Sequence, residues 1–159
     1  ENFENSDWGD RLFCYHASLD EFTDEIDEKY DFIISNPPFY TSTYKALSKE
    51  RAMARHAESL TYEDLLKSTL KLLSENGNCA FIIPFEEEGN FLKIAEENKL
   101  YPNRITRVKG AVNTAVKRSL LQLSFFKTDT MQSELTIELS RHNYTEEYKS
   151  LVQNFYLKL

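Results

Sequence analysis

The sequence predicts an α/β fold, a sheet whose connections are helices, and three observations carry that prediction. An apolar run, Asp31-Phe32-Ile33-Ile34-Ser35, breaks off at Asn36-Pro37-Pro38-Phe39. A helical pattern opening at Thr61 hands over to a second apolar run, Asn78 to Ile83, which Pro84 closes. A further helical pattern, Gly89 to Asn98, separates that run from two more strand-like segments, Arg104–Val108 and Ser119–Phe126. Strands that alternate with helices in this way build a largely parallel sheet with a core beneath it.

Each element has its own justification. Residues 1–9 read as the end of a helix and a turn, and Arg11 to Ala17 alternates enough for a strand. Leu19 to Glu28 is a short acidic helix whose charges form a solvated face. Tyr30 to Ser35 is a strand that the run of apolar residues predicts to be buried on both faces. Residues 41–59 lack periodicity and are rich in Ser, Thr and Lys, which suggests a functional loop with some helix. Thr61 with Asp64 three residues on has the spacing of an N-terminal cap. Leu65, Leu66, Leu70 and Leu73 then form the buried stripe, and Gly77 is expected to end the helix. In the next helix Phe91, Leu92 and Ile94 face inward. Arg104–Val108 and Ser119–Phe126 should form an antiparallel pair, with Leu135–Ser140 as one more edge strand. Residues 145–159 read as a closing helix with Tyr148, Leu151, Val152 and Phe155 on one face.

The break after Ser35 is the candidate site. Two prolines cannot continue a ladder, because they lack the N–H and fix φ. The chain therefore leaves the sheet at a strand's carboxyl end, where open α/β sheets hold ligands. The Asn36 side-chain oxygen and the ring-held carbonyl of Pro37 can each accept a hydrogen bond from an exocyclic amine. Phe39 offers a flat face on which a planar group can stack. The set suits an –NH2 on a flat conjugated system. An ordinary Asn-Pro turn after a strand is the plainer reading of those two residues alone.

The whole segment resembles motif IV of the amino-group methyltransferases that use S-adenosylmethionine. This resemblance implies catalytic roles for Asn36, Pro37, Pro38 and Phe39, and a Rossmann-like class I methyltransferase fold of strand order 3-2-1-4-5-7-6. His16-Ala17-Ser18-Leu19 is similar to the segment that contacts the cofactor's adenine, so Ser18, Leu19 and Asn36 are the implied cofactor contacts. The family usually has Asp where Ser18 stands, and serine accepts more weakly. Arg51-Ala-Met-Ala-Arg55-His56 resembles the segment after motif IV in the bacterial tRNA1(Val) (adenine-N6)-methyltransferases. The ending, Asn143-Tyr144-Thr145-Glu146-Glu147-Tyr148 through Asn154-Phe155-Tyr156-Leu157, is similar to that family's C-terminus. The family resemblance implies methyl transfer to N6 of adenine 37 in tRNA. Tyr40 is then a stacking candidate, and Arg51, Arg55, His56, Lys117 and Arg118 are the candidate RNA contacts. A glutamine amide on a protein is the alternative planar substrate, DNA adenine a third, and a non-catalytic α/β interaction module a fourth.

The chain also departs from that family. Its four glycines, at positions 9, 77, 89 and 110, form no Gly-x-Gly turn, and it opens on Glu1-Asn2. The reading is one partial domain over 1–159, the C-terminal portion of a longer enzyme. The first two strands and the cofactor loop would lie upstream, and the fragment alone is expected to be inactive. Those missing strands would leave apolar edges exposed. Dimerisation, strand exchange and cleavage after folding are the open explanations.

Composition bounds the rest. At 41% hydrophobic and 28% charged residues the chain has an ordinary globular balance. The net charge of −7 excludes indiscriminate nucleic-acid binding, which needs a basic surface. Basic residues nonetheless gather at Lys45, Lys49, Arg51 and Arg55 and at Arg104, Arg107, Lys109, Lys117 and Arg118. Such a local patch can guide a polyanion. Cys14 and Cys79 lie in predicted strands and read as reduced core thiols, as in a cytoplasmic protein. No Cys/His spacing suggests a metal site, and no apolar run approaches the roughly 20 residues that a membrane span needs.

Overall fold

The computed structural model describes residues 2–38 and 60–156. Its centre is a six-stranded sheet of order β1-β2-β4-β3-β5-β6. The strands are β1 (Tyr30–Ser35), β2 (Leu73–Pro84), β3 (Tyr101–Ala111), β4 (Val116–Ser124), β5 (Met131–Ser140) and β6 (Asn143–Tyr144). Among the described residues four α-helices accompany them: α1 (Leu19–Glu25), α2 (Tyr62–Leu72), α3 (Glu88–Glu97) and α4 (Glu146–Val152). β1 pairs parallel with β2, β2 and β3 each pair antiparallel with β4, and β3 pairs parallel with β5. The run β1-β2-β4-β3 is the 4-5-7-6 half of the expected order.

α2 begins where the sequence predicts. The Thr61 hydroxyl accepts from the Asp64 backbone N–H at 3.1 Å and donates to the Asp64 carboxylate at 2.7 Å. A cap of this kind contributes about 1 kcal/mol. Leu65, Leu66 and Leu72 are buried below it, and Phe91, Ile94 and Ala95 below α3. Both helices lie on one face of the sheet, against Cys79, Phe81 and Ile83 of β2, Leu121 and Leu123 of β4, and Ile105 of β3. Leu66 and Phe91 are fully buried, and each contributes about 1.5–3 kcal/mol by leaving water. Burial pushes the Cys79 thiol up to about 12, so it stays protonated.

α2 ends at Leu72, five residues before Gly77. Leu73 turns extended and pairs with Tyr30, so the residues that follow belong to β2. Gly77 serves close packing instead of a helix stop: a Cβ there would lie 2.7 Å from the Leu73 Cδ1. Strands β3, β4 and β5 each begin before the expected residue, because ladder partners recruit flanking polar residues.

Several expectations are corrected. Arg11–Ala17 forms no strand, and Cys14 within it is exposed. Its alternating pattern has no ladder partner among the described residues, and a strand without one is not stable. β1 is not buried on both faces: Phe32 and Ile34 are 54% and 72% exposed, since among the described residues β1 is an edge strand with one neighbour. Leu135–Ser140 is not the edge, because β6 pairs outside it. α4 stops at Val152, and Leu151 and Phe155 of its expected apolar face are exposed. The opposite sheet face carries a depression of about 390 Å³ bordered by Ile34, Ala80, Ile82, Leu120 and Leu151. Among the described residues no helix is long and apolar enough to cross a membrane.

Candidate active site

The two parallel strands set the geometry. Ser35 of β1 stands opposite Phe81 of β2. From there the chain leaves the ladder as Asn36-Pro37-Pro38, while β2 continues through Pro84 into Phe85. Adjacent strands lie about 4.8 Å apart, so the two strand ends emerge side by side at one sheet edge. Asn36 and Pro38 are exposed and Pro37 is buried. A buried ring with fixed φ gives the Asn36 backbone a stiff downstream neighbour.

β4 reaches the same edge from the opposite direction. Arg118 stands opposite Pro84, so it lies two strands, about 10 Å, from the line of β1. Lys117 and Arg118 are both exposed, and an Arg118 guanidinium nitrogen donates to the Lys117 carbonyl at 3.0 Å. The structure divides the basic cluster that the sequence suggested. Arg107 and Lys109 are engaged in ion pairs, with Glu88 at 2.6 Å and Glu134 at 2.7 Å, while Lys117 and Arg118 lie exposed on β4.

Ser18 is the N-cap of α1. Its hydroxyl accepts from the Glu21 N–H at 3.3 Å and donates to the Glu21 carboxylate at 2.9 Å, and its backbone N–H donates to the same carboxylate at 2.8 Å. Those backbone and hydroxyl bonds hold the Glu21 carboxyl below its ordinary range. A hydroxyl has two acceptor lone pairs, so one remains on Ser18 for an external amine. Leu19 opens the helix, half-buried against the core. Phe39, Tyr40, Arg51, Arg55 and His56 lie outside the described residues.

The sequence reading passed over the charged network behind this edge. Glu88 is 8% exposed at the start of α3. Arg107 grips both of its carboxylate oxygens, at 2.6, 3.1 and 3.2 Å, and the buried Ser119 hydroxyl also donates to it. Burial works to raise the Glu88 pKa, but the bonds from Arg107 and Ser119 and the Arg107 charge together hold it below the ordinary value of 4.5. Glu88 raises Arg107 in return. The only local signal was a glutamate just after a proline-terminated strand. In the run Glu86-Glu87-Glu88 nothing distinguishes the buried member from its solvated neighbours.

Comparison with known proteins gives the chain its relatives. The family model described as Eco57I restriction-modification methylase matches residues 2–107. The tRNA1(Val) (adenine(37)-N6)-methyltransferase of Christiangramia forsetii is 57% identical over the whole chain, which covers 67% of that protein. The protein of the same name from Flavobacterium psychrophilum is 50% identical, with 68% of it covered. The chain thus spans about two thirds of the length of these relatives. Among solved structures, a predicted O-methyltransferase from Agrobacterium tumefaciens superposes with a TM-score of 0.53 at 15% identity, over 80% of this chain and 52% of that one. That likeness shows the fold alone, an α/β sheet with helices against it.

Proposed function

Because the chain belongs to the tRNA1(Val) (adenine(37)-N6)-methyltransferase family, we infer that it serves methyl transfer from S-adenosylmethionine to N6 of adenine 37 in tRNA1(Val). The observation that carries this reading, beside the family, is the exposed Asn36, held by a buried Pro37, at the carboxyl edge of two parallel strands. S-adenosylmethionine supplies the methyl group when bound. The spare lone pair of Ser18 suits an adenine amine of that cofactor, and Leu19 and Asn36 are its other contacts in this chain.

Adenine's amine is a poor nucleophile, because its lone pair is delocalised into the ring. The Asn36 side-chain oxygen and the Pro37 carbonyl accept hydrogen bonds from its two N–H groups, raise the electron density on nitrogen and aim the lone pair at the methyl group. Most of the acceleration is positioning, in which the chain holds a near-attack geometry. No strong base is needed before transfer, since the proton leaves the amine afterwards. The target base swings out of the anticodon loop, at less cost than from a duplex, and stacks on Phe39 with Tyr40 beside it. Lys117 and Arg118, with Arg51, Arg55 and His56, contact phosphates. The setting is the cytoplasm, in keeping with two free cysteines.

The test uses the complete protein, labelled S-adenosylmethionine and unmodified bulk tRNA, with the nucleosides identified by mass spectrometry. Label in N6-methyladenosine is the expected result. Label absent from RNA overturns the reading and moves the search to protein amides.

A further inference from the structure

Phe85 is the first residue past β2 and is 41% exposed. A single exposed phenylalanine needs no explanation, but this one is both held and aligned. The Arg107 guanidinium carbon lies 5.9 Å from its ring centroid. That guanidinium is fixed in turn by its fork onto the buried Glu88 and by a bond to the Gln132 side chain at 3.1 Å. The ring therefore rests against a cation that has little freedom to move. Its position is equally specific. β2 delivers it to the edge at which β1 ends in Asn36, and Arg118 stands opposite Pro84, the residue just before it.

We propose that Phe85 is a base-stacking surface of the active site, taking an unpaired RNA base next to the target adenine, with Arg107 and Glu88 as positioning residues. The inference rests on the tRNA reading above. Single-stranded loops are recognised by stacking splayed bases on aromatic faces while cations hold the phosphates. In that reading the target base is held where β1 ends in Asn36, so an aromatic at the β2 end of the same edge serves a neighbour of it. Beside that guanidinium Phe85 remains 41% exposed, which leaves apolar surface for a base.

The experiment pairs a ring deletion with a base deletion in the complete protein. Methyl transfer is measured on tRNA1(Val) transcripts, intact or carrying one abasic nucleotide immediately 5′ or 3′ of the target adenine. Phe85→Leu should raise the KM for intact RNA about tenfold, the order of one lost base–aromatic stack, with kcat within about twofold. One of the two abasic transcripts should cost the wild type a similar factor and cost Phe85→Leu nothing more, since the two deletions remove one contact. Phe85→Tyr should restore the wild-type KM. Glu88→Gln should raise the KM for intact RNA severalfold but leave the KM for that abasic transcript unchanged. An unaltered KM in Phe85→Leu, or losses that add for both abasic positions, overturns the proposal. A Glu88→Gln loss that is equal on both RNAs removes the positioning role. Wild-type protein that fails to methylate the intact transcript strikes the tRNA reading itself and the inference with it.

Discussion

β1 and β2 run side by side in the same direction, and each stops at or just before a proline, yet their ends have opposite characters. The β1 end, Asn36-Pro37-Pro38, presents an exposed amide. The β2 end turns through Phe85–Glu87 and immediately buries Glu88 in a network with Arg107 and Ser119. A strand end that must meet a ligand keeps its polar groups for the ligand. One that must hold its neighbours still satisfies its polar groups internally, because an unpaired buried charge costs far more than a paired one gains.

The contrast can be broken from either side. Asn36→Ala should lower the turnover of the complete protein by about 100-fold or more, the scale of losing one preorganised polar contact to a reacting group. Its melting temperature should stay within about 2 °C. Turnover near wild type would remove Asn36 from the mechanism. The reverse pattern is expected of Arg107→Ala, which leaves Glu88 buried with only Ser119. Chemical denaturation should show a loss of about 2–3 kcal/mol, after allowance for a guanidinium that is one-third exposed. A loss under about 0.5 kcal/mol would make the β2 end no more fixed than the β1 end.

Glu88→Gln sharpens the same point through pH. The Glu88 pKa is lowered on folding, so its carboxylate contributes stability that is fully present above 4.5 and lost as pH falls through the folded value below it. Wild-type stability should therefore drop more steeply than that of Glu88→Gln as pH falls from about 5. Parallel curves would show that folding leaves this carboxyl unperturbed. The smallest effect is expected at the rim: Lys117→Ala should reduce the salt slope of tRNA binding by about 0.7–0.9, one phosphate contact. An unchanged slope would take Lys117 out of the interface.

Much of this edge was legible without coordinates. Pro37, Pro38 and Pro84 mark strand ends, because proline cannot donate to a ladder, and the structure ends β1 and β2 there. Thr61 and Asp64 locate the start of α2, because capping needs only residues three apart. Arg11–Ala17 was misread because alternation is a necessary condition for a strand and not a sufficient one. β1 reads as doubly buried because Phe32, Ile33 and Ile34 are apolar, but burial depends on what lies across the sheet. The extent of α2 was overestimated because Gly77 looks like a helix stop, whereas its missing Cβ makes room for Leu73.

Local order therefore determined where the chain leaves the sheet, which helix begins where, and which amide stands at the exit, since caps, prolines and apolar periodicity act within a few residues. The tertiary structure alone decided that Glu88 is buried, that Arg107 and Ser119 meet it from 19 and 31 residues away, and that Phe85 and Arg118 share an edge with Asn36. Those contacts exist because β3 and β4 pair antiparallel beside β2, and no spacing along a chain encodes which distant strand will become a neighbour.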